Sequence, residues 1–538
     1  MRSVPVLIAG GGPVGLTLAR CLAVRGIRCM LVERNATTTA HPKMDMTNTR
    51  TMELFRNLGL ADQLRAVGVP VDHPLDVSWV TTMTGHELYR FPYPSTIESR
   101  RIIRANNDGS QPLEPPMRVS QVEIEPVLKA ANERDPNVEV RFGVALEDFA
   151  EDGDGVTATL RTKSGLVEQV RCEYLAGCDG GSSVARTLLN IDCSGRWRIM
   201  PRYTAHFRSE AYDLLCRWGL AWHYQSNRGT LVSQNGSDVW TLHARFPEGH
   251  GFEDIDPSVL IEAFVGKPFP HEILVANAFT PHLVVADRYS RGRVFLAGDA
   301  AHQYISTGGY GMNTGVADAF DLGWKLAATL HGFGGPLLLP SYELERRPIG
   351  LRNCAAAERH NDVRVAIARL YEPAAANDDP AGGMARANAS RGIAALGNAE
   401  NESHGIEYGY AYADSPIVWG DGTAAPQDPI DYVPTTVPGV RLPSVFLDDD
   451  TALFDRLGPW FTLLAFDDAA ADSTVAAAAQ LRVPLHVVRI RERHLAPIYE
   501  AAVVLVRPDQ HVAWRGPMPR DEQSASAILR RALGWSRQ

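Results

Sequence analysis

The sequence has little lysine. Only five of its 53 basic residues are Lys (43, 129, 163, 267 and 325), and acids outnumber bases, for a net charge of −10. The arginines that supply the remaining positive charge are scattered. The chain therefore lacks the basic footprint that a general nucleic-acid or anionic-membrane binder needs. Cysteine is also scarce. The seven thiols, at 21, 29, 172, 178, 193, 216 and 354, form no CxxC pair. This argues against a disulfide scaffold or a zinc site and points to a reducing, cytoplasmic setting. No apolar run reaches about 18 residues, so no membrane span is expected. The first apolar run, Val4 to Ala9, is too short for a signal-peptide core.

With 538 residues at 45% hydrophobic, the chain can bury a large core and, at about 150 residues per domain, suggests three to four domains. Val4 to Ala9 reads as a buried parallel strand. Gly10-Gly11-Gly12-Pro13-Val14-Gly15 follows, then a helix face of Val14, Leu18 and Leu22 closed by Gly26. A second strand, Ile27 to Val32, ends at Glu33. This strand–turn–helix–strand unit with GxGxxG and a terminal acid has the form of a dinucleotide site. Its glycines let backbone amides approach a pyrophosphate, its helix N-terminus favours negative charge, and Glu33 can accept ribose hydroxyls while repelling a 2′-phosphate. FAD or NAD, not NADP, is the expected resident.

Residues 70 to 280 mix alternating strands with aromatic runs such as Trp222-His223-Tyr224. A third strand, Val294 to Ala297, leads into a glycine-rich loop, 298 to 311, containing Asp299 and His302. A helix is expected from near Asn313, where Gly311 and Met312 precede it. Tyr174 to Arg186 repeats the pattern of strand, acid (Asp179), glycines and helix start. Residues 341–371 read as helical with a break at Pro348, 372–404 as a loop or connector, and the proline-rich stretch 425–443 as an extended linker. Beyond it, strands at 461–466, 485–488, 502–506 and 511–514 and a helix at 521–534 form a compact unit.

These motifs, in order, resemble the single-component flavoprotein aromatic hydroxylases, the group A flavin monooxygenases typified by para-hydroxybenzoate hydroxylase and phenol hydroxylase. The GxGxxG unit, Asp179-Gly180, Gly298-Asp299, Gly311-Met312-Asn313-x-Gly315, His41-Pro42-Lys43 and Ser341 to Pro348 all match. The C-terminal unit is similar to the thioredoxin-like tail of longer members, but it has no cysteine. The resemblance implies an α/β architecture: a Rossmann-like FAD-binding domain with an inserted β-sheet substrate domain and a C-terminal thioredoxin-like α/β domain. The segments would be 1–75, 105–185 and 281–404 (FAD-binding, the last with a helical part), 76–104 and 186–280 (substrate domain), 405–440 (linker) and 441–538 (thioredoxin-like).

The resemblance further implies FAD contacts from Gly10, Gly12, Pro13, Val14, Gly15, Glu33, Arg34, Lys43, Gln121, Asp179, Asp299, Gly311, Met312 and Asn313. No second GxGxxG unit exists, so NADH or NADPH would bind only transiently as reductant. The implied reaction is hydroxylation of a phenolic or polycyclic aromatic compound by dioxygen through a flavin C4a-hydroperoxide, in a site closed to water. Asp45 is the candidate acceptor for a substrate hydroxyl; a cap or surface carboxylate is the other reading, since Thr47 and Asn48 follow. Trp222, Tyr224, His243 and Arg245 are candidates to line a planar substrate pocket, or else belong to a sheet core. His302 is expected to pack or hydrogen-bond rather than catalyse. Ile305 and Ser306 stand where relatives usually carry proline beside the flavin. Two other readings stay open: Baeyer–Villiger or oxidative-decarboxylating chemistry on the same fold, and a flavin-bound protein that sequesters an aromatic intermediate. A homodimer through the tail is a further option.

Overall fold

The computed structural model describes residues 1–247, 249–466 and 471–535; the last three residues of the expected C-terminal unit lie outside the described residues. Five strands, Val294–Leu296, Val167–Gly177, Arg2–Ala9, Cys29–Glu33 and Val138–Phe142, lie side by side in that order, all parallel. Val6, Leu7 and Ile8 are fully buried, as a central parallel strand covered on both faces requires. The helix Pro13–Ala23 starts directly after the glycine turn, with Pro13 in the first turn, where its missing N–H costs nothing. The long helix Tyr310–Leu330 lies against it because two of its residues lack side chains. A Cβ at Gly315 would come 2.6 Å from Val14, and one at Gly323 2.6 Å from Cys21.

A second sheet of seven strands runs Glu272–Phe279, Arg202–Arg208, Val239–Arg245, Gly229–Ser233, His223–Ser226, Val77–Val80, Glu87–Phe91. Strands near 80 and strands between 202 and 279 thus share one sheet. One face buries Phe207, Tyr224, Leu231, Trp240 and Leu242 over the helix Pro257–Val265; the other faces the cavity described below. The C-terminal unit is a mixed sheet ordered Leu485–Arg489, Phe461–Ala465, Val503–Val506, Val512–Gly516. Trp324 of the long helix meets Phe461 edge-on, with ring centres 5.9 Å apart. A buried ionic cluster also joins the units: Arg507 binds Asp321, Glu345 and Asp509, while Lys325 binds Asp321 and Glu345.

Four expectations need correction. The stretch 425–443 is not a free linker: Val437, Val440 and Leu442 are buried in the C-terminal core, and Arg441 pairs with Glu53. Proline stiffens an extended chain without preventing its apolar side chains from packing. Within 405–440, Tyr408, Tyr410 and Tyr412 are also buried. The supposed connector 372–404 holds the helix Pro380–Leu396, capped by Asp379 and ended at Gly397 with φ +70°; its alanines and its start and stop signals outweigh its Asn and Gly content. The helix Pro340–Ala368 runs through Pro348 without a break, because Tyr342, Glu345, Arg346, Ile349 and Gly350 are buried around it and tertiary packing carries most helical stability. The long helix begins at Tyr310, three residues before Asn313.

Candidate functional site

One continuous cavity of about 1570 Å³ runs from the glycine turn, along residues 34–46, to the open face of the seven-stranded sheet. A pocket for one small ligand spans roughly 300–1,000 Å³, so this volume suits a dinucleotide together with a second molecule.

The dinucleotide end is built by close backbone approach. Gly10 has φ +116°, and a Cβ there would lie 2.1 Å from the Cys178 carbonyl oxygen. Around Gly12 and Gly311 the reverse holds: a Cβ at Gly12 would meet only Glu125 Oε1 at 4.0 Å, and one at Gly311 nothing within 4 Å. Bare backbone is therefore offered to the cavity. The Gly11 N–H donates to Glu33 Oε2 at 2.7 Å, and Asn35 donates twice to Oε1, which fixes the carboxylate at the strand's end. Asp179 accepts from the Ala185 N–H through Oδ2, while its buried Oδ1 has no partner. Pro13, Val14, Arg34, Lys43, Gln121, Asp299 and Met312 line the same space. Burial raises the Asp299 carboxyl above its ordinary range, opposed by His302 and Lys43. Open backbone at a helix N-terminus, a fixed carboxylate and an orphaned acceptor match the donor and acceptor needs of FAD.

Two residues expected to contact the flavin do other work. Gly15 is off the cavity wall: its Cβ would fall 2.0 Å from the Gly10 carbonyl oxygen, so it serves helix–strand packing. Asn313 is buried and accepts from the Asn48 N–H while donating to the Met46 and Gly309 carbonyls. It holds the strap 44–48 rather than a ligand. The other edge of the strap is tied by the Val119 and Gln121 N–H groups, which donate to the Asp45 and Met44 carbonyls.

Along this strap Asp45 reaches the cavity. Its Oδ2 accepts from Trp222 Nε1 and lies 3.9 Å from His223 Nε2. Burial raises the Asp45 carboxyl; Arg118 and the Trp222 bond oppose the rise. Of the four proposed pocket residues, Trp222 and His243 line the cavity, but Tyr224 and Arg245 do not. Strand alternation turns Tyr224 to the opposite face, where its hydroxyl donates to the Gly219 carbonyl. Trp222 escapes that alternation because it precedes the strand. Arg245 shares His243's face but stands one step further out, opposite Arg202, in solvent. His302 stacks on Tyr304 and bonds Asp318 at 2.7 Å, a structural role. Ile305 and Ser306 both line the cavity.

Several cavity residues escaped the sequence reading. Glu125 accepts from Gln121 Nε2 and the Thr39 N–H, each at 2.7 Å, tying the loop after Glu33 to the helix Gln121–Glu133; its position four residues after Gln121 was the available signal. Arg364 and Glu400 form a two-point pair, and Glu400 also accepts from the Gly308 N–H at 3.0 Å. Nothing local marks that pair, because helix and loop meet only in the fold.

Residues 3–357 match the family described as FAD binding domain, and residues 435–535 match the family described as aromatic-ring hydroxylase, C-terminal. The chain is 36% identical to the FAD-dependent monooxygenase apdD of Emericella nidulans, over 98% of this chain and 90% of that protein. Among solved structures it is similar to RebC soaked with chromopyrrolic acid, at TM-score 0.90 and 34% identity over 99% of this chain and 100% of that one. It is also similar to the flavin-dependent monooxygenase PieE in complex with FAD and substrate, at TM-score 0.88 and 29% identity over 99% of both chains. With a family match across most of its length and a glycine cradle open to a dinucleotide, the chain belongs to the FAD-binding flavoprotein monooxygenases related to the aromatic-ring hydroxylases, and it is an FAD-dependent oxidoreductase.

Proposed function

We propose that this enzyme encloses a reactive polycyclic aromatic intermediate and oxidises it, by oxygenation or oxidative decarboxylation, rather than hydroxylating a free simple phenol. The observation that carries this reading is the single cavity of about 1570 Å³, which accommodates FAD and a ligand far larger than phenol. Support comes from the likeness to RebC, described as a rebeccamycin biosynthetic enzyme and solved with reduced flavin, at 34% identity.

FAD, when bound, supplies acceptance of two electrons and activation of dioxygen. The chain's own residues position and protect that chemistry. Gly10, Gly12, Glu33 and Asp179 would hold the dinucleotide, and Met312 and the open backbone at Gly311 would be available to it. Trp222 orients Asp45, whose carboxylate takes a proton from a ligand O–H or N–H. A nicotinamide dinucleotide is the transient reductant, and the FAD-binding and substrate-domain segments set out above, with a thioredoxin-like tail and with 405–440 packed against the rest rather than a linker, describe the architecture.

A second reading, direct hydroxylation of a phenolic ring, is favoured by the placement of Asp45 on the cavity wall. One experiment separates the two. Purified holoenzyme is supplied with NADH or NADPH, labelled dioxygen and either simple phenols or polycyclic aromatic acids, while hydrogen peroxide, carbon dioxide and product mass are followed. Label incorporation or carbon dioxide release with the polycyclic acids alone supports the main reading. Coupled hydroxylation of simple phenols overturns it in favour of the second. Tight retention of a polycyclic ligand without any reductant consumption overturns both in favour of sequestration.

A further inference from the structure

The open face of the seven-stranded sheet carries a polar row that no flavin contact uses. Cross-strand pairing puts Asn277 opposite Thr204, Thr204 opposite His243, and His243 opposite Thr230. All four line the cavity. Neighbouring strands stand about 4.8 Å apart, so a row across four strands is roughly 14 Å long. A single phenol ring spans one such interval; the whole row needs a longer ligand.

The chemistry of the row is uniform. Each of its side chains can both donate and accept, and none need carry charge. Thr204 Oγ1 and His243 Nδ1 are 3.1 Å apart. Two cations stand near the row. Arg202 lies two residues from Thr204 on the same strand, and Arg364 donates to Thr230 Oγ1 at 3.2 Å while its remaining nitrogens are held by the Glu400 carboxylate. Burial pushes the His243 imidazole down to about 4, reinforced by Arg364, Arg202 and His206, so it stays neutral near pH 7. Val232, two residues after Thr230 on the same strand, lines the cavity, and so does Gln234, the residue just past the strand's end at Ser233. Gln234 is only 5% exposed, and its Oε1 has no partner. That is a buried acceptor facing the cavity and short of one donor. Val232 and Val275 flank the row with apolar surface.

We propose that Asn277, Thr204, His243 and Thr230, together with Gln234, form the specificity-determining strip of the site. It reads one long, uncharged, hydrogen-bonding edge of an elongated fused-ring aromatic ligand. The inference rests on the reading above that the sheet end of the cavity takes the aromatic substrate.

The test uses FAD-loaded enzyme without reductant, with binding followed through the visible absorbance of the bound flavin. The probes are quinizarin (a neutral dihydroxyanthraquinone), its sulfonate, anthracene and phenol. Quinizarin is expected to bind at least tenfold more tightly than each of the others, on the order of two hydrogen bonds. The double variant Thr204→Val, Thr230→Val is expected to weaken quinizarin binding roughly tenfold and leave anthracene binding unchanged. Asn277→Leu, at the outer end of the row, is the second variant should the first fail to retain flavin; it is expected to weaken quinizarin about fivefold. Equal affinity for quinizarin and anthracene, preference for the sulfonate, no response to any probe, or variants that bind quinizarin like the parent would each overturn the strip. In the separate assay with reductant and labelled dioxygen described above, absence of turnover with the polycyclic acids would instead overturn the functional reading and leave the strip standing.

Discussion

Trp222 Nε1 donates to Asp45 Oδ2 at 2.5 Å, joining two residues 177 positions apart in the chain. The bond ties the strap at 44–48 to the sheet that walls the far end of the cavity. It gives the one acid on that strap a fixed orientation, and it favours the ionised form that burial opposes.

Asp45→Asn is expected to keep bound FAD and to lose most product formation, at least a hundredfold, on the order of the contribution of one general base. Flavin content and product yield measured on the same preparation check this. Normal coupled turnover would remove Asp45 from the chemistry.

Trp222→Phe deletes a bond that holds the Asp45 carboxyl down, so that carboxyl should rise further above its ordinary range. Activity that depends on ionised Asp45 falls as pH drops through this value. The acidic limb of the kcat/KM profile should therefore move to higher pH in the variant, while activity on the alkaline plateau changes less. An unmoved limb would show that the limb belongs to another group.

Burial alone raises the Glu407 carboxyl to about 7. In the unfolded chain the same group ionises near 4.5. Folded-state stability is thus undiminished below the lower value and is lost progressively as pH rises through this window, by at most about 3 kcal/mol. Glu407→Gln should raise the Tm at pH 8 and leave it unchanged at pH 4, as read by thermal denaturation at the two pH values.

Arg507 is fully buried and satisfies three carboxylates, those of Asp321, Glu345 and Asp509. Arg507→Met leaves Asp321 and Glu345 with Lys325 as their direct cation and leaves Asp509 with His511. A loss of about 3–5 kcal/mol is expected, seen in chemical denaturation as a lower midpoint or as separate unfolding of the C-terminal unit.

Gly15→Ala places a methyl group against the Gly10 carbonyl oxygen and should displace the glycine turn. The expected result is protein that purifies with little or no yellow colour, checked by the flavin-to-protein absorbance ratio. Full flavin content would mean that the turn tolerates the shift.

Local pattern alone determined the dinucleotide-binding core. The apolar run before Gly10, the Pro13 helix start and the acid at position 33 are short-range signals, and a parallel strand followed by a glycine turn has few ways to fold. The strands of the C-terminal unit were readable for the same reason. What only the tertiary structure decided depends on contacts between distant segments. Tyr224 looked like a pocket residue because alternation shows that two faces exist but not which face meets the cavity; the cross-strand pairing chose the other one. Asn313 looked like a flavin contact until the strap at 44–48 was seen to claim its amide. The proline-rich stretch looked like a spacer because its buried partners, the strands of the C-terminal core and Glu53, meet it only in the folded chain. The polar row from Asn277 to Thr230 is invisible in the sequence, since its members come from four strands and only the register of the sheet aligns them.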